Sequence, residues 1–103
     1  MYDVRHVLRK AGLRSTYSGY NYLASAVALV LKDQEFYLKN VTSNLYRVVG
    51  EQYGVSNMSV EAAIRTMINS YWNQNSNKIL SPLLGYPVFD KPTASEFISM
   101  LAD

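Results

Sequence analysis

The chain has 103 residues, 49% of them hydrophobic, with nine tyrosines, one tryptophan and a net charge of +2. This length suits one small domain, and the hydrophobic share is sufficient for one core. The absence of cysteine excludes disulfides and thiolate metal sites. The longest apolar run, residues 23–31, is too short to span a bilayer, and the N-terminus has no signal-peptide core, so a cytoplasmic protein is expected.

Positive charge is concentrated in the first fourteen residues. In that stretch Arg5, Arg9, Lys10 and Arg14 stand against a single acidic residue, Asp3, whereas the remainder of the chain is slightly acidic. The net charge of +2 is a weak argument for nucleic-acid binding, and the distribution says more, because it concentrates any electrostatic contact surface at the N-terminal end. It is equally compatible with a solvated helix face near a terminus.

Apolar residues recur at helical spacing along most of the chain, which predicts an all-α domain of about six helices spanning residues 1–103. The predicted helices cover residues 4–11, about 20–32, 43–53 and 57–73, with a short helix or irregular turn near 81 and a last helix opened by a capping box at 93–96. Residues 33–42 are expected to form a link containing a turn or short helix. The second helix has the widest apolar stripe and is expected at the centre of the domain, with Tyr20, Leu23, Ala26, Val27, Val30 and Leu31 buried.

Residues 43–73 are typical of a helix-turn-helix. The first helix carries an apolar series that includes Tyr53, and Thr42 or Ser43 is expected to cap it. Gly50 would let the second helix cross closely, and Gly54 would turn the chain. In the second helix, with Ser56 as its expected N-cap, the apolar positions predict a buried underside. Its outward face would then hold Asn57, Ser59, Glu61, Ala62, Arg65 and Asn69. Paired helices with a glycine turn also occur in proteins that never bind DNA, so this spacing alone leaves the function open.

No residue pattern points to an enzyme, a metal or a cofactor. His6 is the only histidine, and its position beside Arg5 favours an exposed residue over a catalytic or metal role. The acidic residues are scattered singly, without the pairing that general acid–base catalysis requires. No nucleophile elbow, phosphate-binding loop or dinucleotide-binding turn is present. We therefore expect no enzyme activity and no cofactor.

Four stretches together resemble the C-terminal effector domain of the sporulation response regulator, stage zero sporulation protein A. They are AGLRSTYSGYNYLASAV, VTSNLYRVVGEQYGVS, SVEAAIRTMINSYW and LLGYPVFDKPTASEFISMLAD. The resemblance covers nearly the whole chain. It implies a six-helix domain of spore-forming Firmicutes that binds specific DNA sequences through the second helix of its helix-turn-helix, often as tandem protomers on adjacent sites. A homodimer on DNA is the alternative arrangement. It also implies that the segment near residues 79–88 contacts the sigma subunit of RNA polymerase, with Ile79, Leu83, Leu84 and Val88 as the candidate contact residues.

The chain departs from that family where DNA would be read. The resemblance implies arginine at the positions of Ser59 and Ala62, and histidine and lysine at those of Thr16 and Ser18. Arginine discriminates guanine through two hydrogen bonds, which serine and alanine cannot replace. The family's regulator also carries a receiver domain, for which 103 residues leave no room, so the chain is expected to be an excised effector domain or a stand-alone relative.

The first hypothesis is therefore a sequence-specific DNA-binding transcription regulator domain. Its candidate base-reading residues are Ser56, Asn57, Ser59, Glu61, Ala62 and Arg65, with Arg65 as the main cation. Its candidate phosphate contacts are Arg14, Lys39, Thr42, Ser43 and Arg47. The alternative is a protein-protein interaction module that keeps the fold but no longer reads DNA. The neutral outward face and the apolar residues between 79 and 89 motivate it.

Overall fold

The computed structural model describes residues 4–13, 19–75, 80–85 and 88–102. These ranges contain seven α-helices and one π-helical segment, and no strand occurs in them, which confirms the all-α prediction. The α-helices are α1 (Val4–Lys10), α2 (Tyr20–Lys32), α3 (Gln34–Lys39), α4 (Arg47–Tyr53), α5 (Asn57–Asn75), α6 (Leu80–Leu84) and α7 (Ala94–Ala102), and the π-helical segment is Val41–Tyr46. No helix in the described ranges has the length and apolar character needed to cross a membrane.

Helix α2 lies at the centre, as its wide apolar stripe predicted. It packs against α1, α3, α4, α5 and α7. Burial on several sides explains why Ala24 and Leu29 are buried beyond the expected stripe. The prediction for Leu31 was wrong, because this side chain is 41% exposed. It lies in the last turn of α2, beside the exposed Lys32.

The expected link between α2 and the helix-turn-helix contains a short helix, one of the two forms predicted for it. Residues 34–39 form α3, which Asp33 caps by accepting a hydrogen bond from the Phe36 N–H. The next segment begins earlier than expected. Asn40 Oδ1 accepts a hydrogen bond from the Ser43 N–H at 3.2 Å, so the expected cap by Thr42 or Ser43 is wrong. The π-helical segment then continues into α4 without a break.

The turn between α4 and α5 has the geometry that its glycines predicted. Gly54 has φ of +70°, a conformation that glycine adopts without steric cost. A Cβ atom on Gly50 would lie 2.5 Å from the Val55 carbonyl oxygen, so only glycine allows this close approach. Ser56 Oγ accepts a hydrogen bond from the Ser59 N–H at 3.1 Å and caps α5, as expected.

Tyr53 does not complete a buried series on α4. It is 42% exposed, although its ring packs edge-on against Tyr22 with centroids 5.1 Å apart. The Tyr53 hydroxyl shares a hydrogen bond with Ser25 Oγ at 2.9 Å. The apolar ring and the polar tip therefore both find partners at the edge of the core.

The underside of α5 forms much of the core. Its buried side chains are Val60, Ile64, Met67, Ile68 and Tyr71. The Tyr71 hydroxyl donates a hydrogen bond to the Ala11 carbonyl oxygen, and its ring meets Phe97 of α7 edge-on at 5.8 Å. A Cβ atom on Gly19 would lie 2.6 Å from the Ala63 carbonyl oxygen, so the backbone at the start of α2 packs closely against α5. These contacts fix the outward face of α5 relative to the rest of the fold.

The predicted capping box at the start of α7 is confirmed. The Thr93 N–H donates to Glu96 Oε1 at 2.9 Å, and the Glu96 N–H donates to Thr93 Oγ1 at 3.2 Å. The hydrogen bonds from Thr93 hold the pKa of the Glu96 carboxyl below its usual range. Residues 88–93 are thereby anchored at the start of α7.

Candidate nucleic-acid interface

An open groove runs between the π-helical segment and the first half of α5. The side chains that line it are Thr42, Asn57, Met58, Glu61, Ala62 and Arg65. All of them except Met58 are residues for which the sequence predicted a DNA contact. The fold therefore brings one predicted phosphate contact and four predicted base contacts onto the same surface.

The charges in this groove are paired with each other. Arg65 Nη1 donates to both carboxylate oxygens of Glu61 at 3.1 Å, across one turn of α5. Nε and Nη2 of the guanidinium take no part in this pair and extend the fork of donors that Arg65 offers. The groove lining consequently has no net charge. An exposed pair of this kind contributes about 0.2–1 kcal/mol, so a competing phosphate or base can displace it.

Two of the residues predicted to contact bases, Ser56 and Ser59, form hydrogen bonds at the N-terminus of α5. Ser56 Oγ accepts from the Ser59 backbone and donates to Ser59 Oγ at 3.0 Å. Neither serine lines the groove. The Ser56 hydroxyl is therefore engaged as an N-cap, while the Ser59 side chain remains exposed on the outer rim of α5.

The other predicted phosphate contacts surround the groove without lining it. Arg47 Nε donates to the Ser43 carbonyl oxygen at 2.9 Å, and Arg47 Nη1 pairs with Glu51 at 2.5 Å. Lys39 lies in a separate surface depression with Asp33 and Glu35. Arg14 lies outside the described residues. The described cations of this region thus stand beside carboxylates and do not form one continuous basic stripe.

Sequence reasoning missed Met58 and Lys91. Met58, the second residue of α5, is 76% exposed and lines the groove. The helical phase set by Val60 and Ile64 is the signal that would have placed Met58 on the outward face. Lys91 lies 22 residues after Asn69 in the chain, yet its Nζ donates to Asn69 Oδ1 at 2.6 Å. No local pattern could have predicted that contact.

Lys91 borders a second groove on the other flank of Arg65. It is lined by Glu61, Arg65, Ile68, Asn69 and residues 91–94. Asn69 was expected to face outward, but its Oδ1 already accepts a hydrogen bond from Lys91 of the same chain. The open part of the face ends near Arg65, about halfway along α5.

Tyr46 supports the groove from beneath. It is buried in the last turn of the π-helical segment. Burial, with a smaller contribution from the Glu61 carboxylate, raises the pKa of Tyr46 to about 12. The phenol is therefore neutral at physiological pH, so it does not repel the negative charge of Glu61.

The segment expected to contact a partner is mostly packed inward. Leu83 and Leu84 of α6 are half-buried against the core, and Val88 is 5% exposed. The Val88 N–H donates to Ser81 Oγ at 2.9 Å, which joins this residue to α6. Phe89, which was not among the candidates, is 78% exposed. Ile79 lies outside the described residues.

Comparison with known families agrees with this arrangement of helices. The family model described as sporulation initiation factor Spo0A C terminal matches residues 4–103. This family consists of DNA-binding effector domains of sporulation regulators. The match covers every helix described above, including the helix-turn-helix and the capped last helix. The chain therefore belongs to the Spo0A C-terminal family of sporulation initiation factors.

Proposed function

We propose that this chain is a sequence-specific transcription regulator domain that inserts the first half of α5 into the major groove of DNA. The observation that carries the proposal is the groove in which Thr42, Asn57, Glu61, Ala62 and Arg65 meet on an open face. The buried underside of α5 holds that face rigidly, and a rigid helix is what reading of base edges in the major groove requires.

Arg65 is the principal contact in this proposal. Its guanidinium is exposed, and its bond to Glu61 uses only Nη1. On DNA, the fork would donate to a guanine edge or to a phosphate. Thr42 and Asn57 lie at the two sides of the groove. Thr42 would contact the DNA backbone and Asn57 a neighbouring base, whereas Ser56 would remain the N-cap of α5.

The test is Arg65→Ala, measured by mobility shift on a duplex selected from a random pool. We expect the affinity to fall about 5- to 150-fold, which corresponds to about 1–3 kcal/mol. If Arg65 contacts phosphate, the loss should be similar on all sequences and the salt slope should decrease by about 0.9. Lys32→Ala, at the exposed end of α2, is the matched control for loss of one positive charge. Equal binding by the wild type and Arg65→Ala would contradict the assignment.

A second candidate function is protein binding, and the exposed Phe89 favours it. In the family setting, residues 79–89 would contact the sigma subunit of RNA polymerase, or protomers would pair on tandem sites. A chain that neither binds heparin at low salt nor shifts random duplex DNA, but forms a stable homodimer or protein complex, would support this candidate over DNA reading.

A further inference from the structure

We propose that Met58 is a specificity-determining residue that recognises thymine through the C5-methyl group in the major groove. The inference rests on the proposed function, because it concerns the base read by the same face of α5. It names the chemistry that this face is suited to recognise, namely the methyl edge of an A·T pair.

The first support is the position of Met58. Its exposed fraction of 76% far exceeds the 41–46% of Leu31, Phe36 and Tyr53. Only Phe89 is comparable among the exposed large hydrophobics of the described ranges, and it lies in the 88–93 segment and not on a helix. Met58 therefore projects from the rigid face of α5, from its first turn, where recognition helices contact base edges.

The second support is the chemistry around it. Ala62 lies one turn further along α5 and lines the same groove, so two apolar side chains lie in succession along the face. The charged pair of Glu61 and Arg65 lies on one flank, and the polar Ser59 is exposed nearby. The centre of the face thus offers apolar surface, and its edges offer hydrogen bonds.

The major groove offers one apolar group that fits such a centre. Thymine alone among the four bases displays a methyl group there, and apolar side chains contact it. Methionine is flexible and polarizable, so it can adapt to a methyl group at the floor of the groove. Burial of one methyl group corresponds to about fourfold in affinity, which is sufficient for a measurable preference at one base pair.

The experiment replaces each thymine of a selected duplex by deoxyuridine, which removes the methyl group and leaves base pairing intact. We expect the wild type to lose about three- to fivefold in affinity at one or two thymines. Met58→Gln has nearly the same length and helix propensity but a polar end. In this variant the thymine and deoxyuridine duplexes should bind equally within twofold, whereas Met58→Leu should keep the difference.

Three results would overturn the inference. One is sequence-selective binding without any effect of deoxyuridine, which leaves the proposed function standing. Another is an undiminished deoxyuridine effect in Met58→Gln, which would place the methyl contact elsewhere. The third is loss of self-association in Met58→Gln with unchanged DNA binding, which would show that Met58 contacts a second copy of the chain. Absence of all duplex binding would instead refute the proposed function together with the inference.

Discussion

Helix α5 has one side that faces the core and another that faces solvent, and different forces fix their residues. On the inner side, Ile64 and Tyr71 are fully buried, and Tyr71 contacts Phe97 of α7 and the Ala11 carbonyl oxygen. On the outer side, Met58 is 76% exposed and Arg65 pairs with Glu61 of the same helix. Packing therefore restricts the inner residues to a few types. The outer residues can change without loss of the fold, which is where this chain departs from the pattern that its family resemblance implies.

The largest effect should come from truncating the inner side. Ile64→Ala removes a fully buried side chain and leaves a cavity beneath the groove. We expect the free energy of unfolding to fall by about 2–5 kcal/mol. Thr66→Ala, two residues along on the exposed side, should change it by less than about 0.5 kcal/mol. Urea unfolding followed by circular dichroism measures both. Similar losses for the two variants would show that the two sides of α5 are not distinct.

The next effect concerns the turn that sets the angle of α5. Gly50→Ala places a Cβ atom 2.5 Å from the Val55 carbonyl oxygen, and backbone atoms cannot yield as a side chain does. We expect a loss of about 1–3 kcal/mol, despite the better helix propensity of alanine. Gly54→Ala is the contrast, because its Cβ would meet nothing within 4 Å and only the φ of +70° opposes it.

For Gly54→Ala, a loss of about 1 kcal/mol is expected from the left-handed backbone alone. Denaturant midpoints of the two glycine variants, compared at equal m-values, separate the steric from the conformational cost. If Gly50→Ala were the more stable of the two variants, the close contact between Gly50 and the Val55 carbonyl oxygen would be contradicted.

The inner side and the turn were predictable because their signals are local. Apolar spacing placed Ile64 in the core, and glycine before a serine cap placed the turn at Gly54 and Ser56. The predictions failed where distant parts of the chain decide. Leu31 fits the stripe of α2, yet it lies in the last turn of that helix and is 41% exposed. Lys91 donates a hydrogen bond to Asn69, which lies 22 residues earlier in the chain, and no local pattern specifies such a contact.

Sequence predicted the candidate site as a set of positions but not as a charge distribution. Arg65 was expected to be the main cation, and its spacing to Glu61 permits the pair that neutralises it. Whether two exposed side chains four residues apart bond to each other or to a ligand depends on the rotamers, which no spacing specifies. Met58 was absent from both the predicted buried series and the predicted outward face, although the helical phase of Val60 and Ile64 places it outward.

A smaller effect tests Tyr46, the buried tyrosine of the π-helical segment. The raised pKa of Tyr46, about 12, means that folding favours the neutral phenol. The unfolded chain ionises near pH 10, so it binds fewer protons than the folded chain above that pH, and stability must fall as pH rises. Between pH 10 and 11.5 this loss should reach about 1.5 kcal/mol. The measurement is urea unfolding at both pH values.

Tyr46→Phe supplies the control for the other groups that titrate at alkaline pH. The variant should lack this part of the pH dependence, so the difference between the two proteins isolates Tyr46. Equal pH dependence in both would show that the phenol is not buried against α5.

The smallest effect should come from the outer side. Glu61→Gln removes the carboxylate that pairs with Arg65 and leaves the shape of the groove nearly unchanged. Stability should change by less than about 1 kcal/mol, because the pair is exposed. Affinity for random duplex DNA should rise about two- to fivefold at low salt, since Arg65 becomes available to phosphate and a repulsive charge is lost. Filter binding at several salt concentrations measures this gain.

Glu51→Gln is the matched control, because Glu51 pairs with Arg47 across one turn of α4 and does not line the groove. Both variants raise the net charge by one, so equal gains would mean that only the overall charge matters. A larger gain for Glu61→Gln would mark the groove of α5 as the contact surface. The selected duplex adds a second criterion, because a carboxylate can accept a hydrogen bond from the cytosine amino group. If Glu61 reads cytosine, the variant should gain affinity for random DNA while it loses discrimination at one base pair, a combination that charge alone cannot produce.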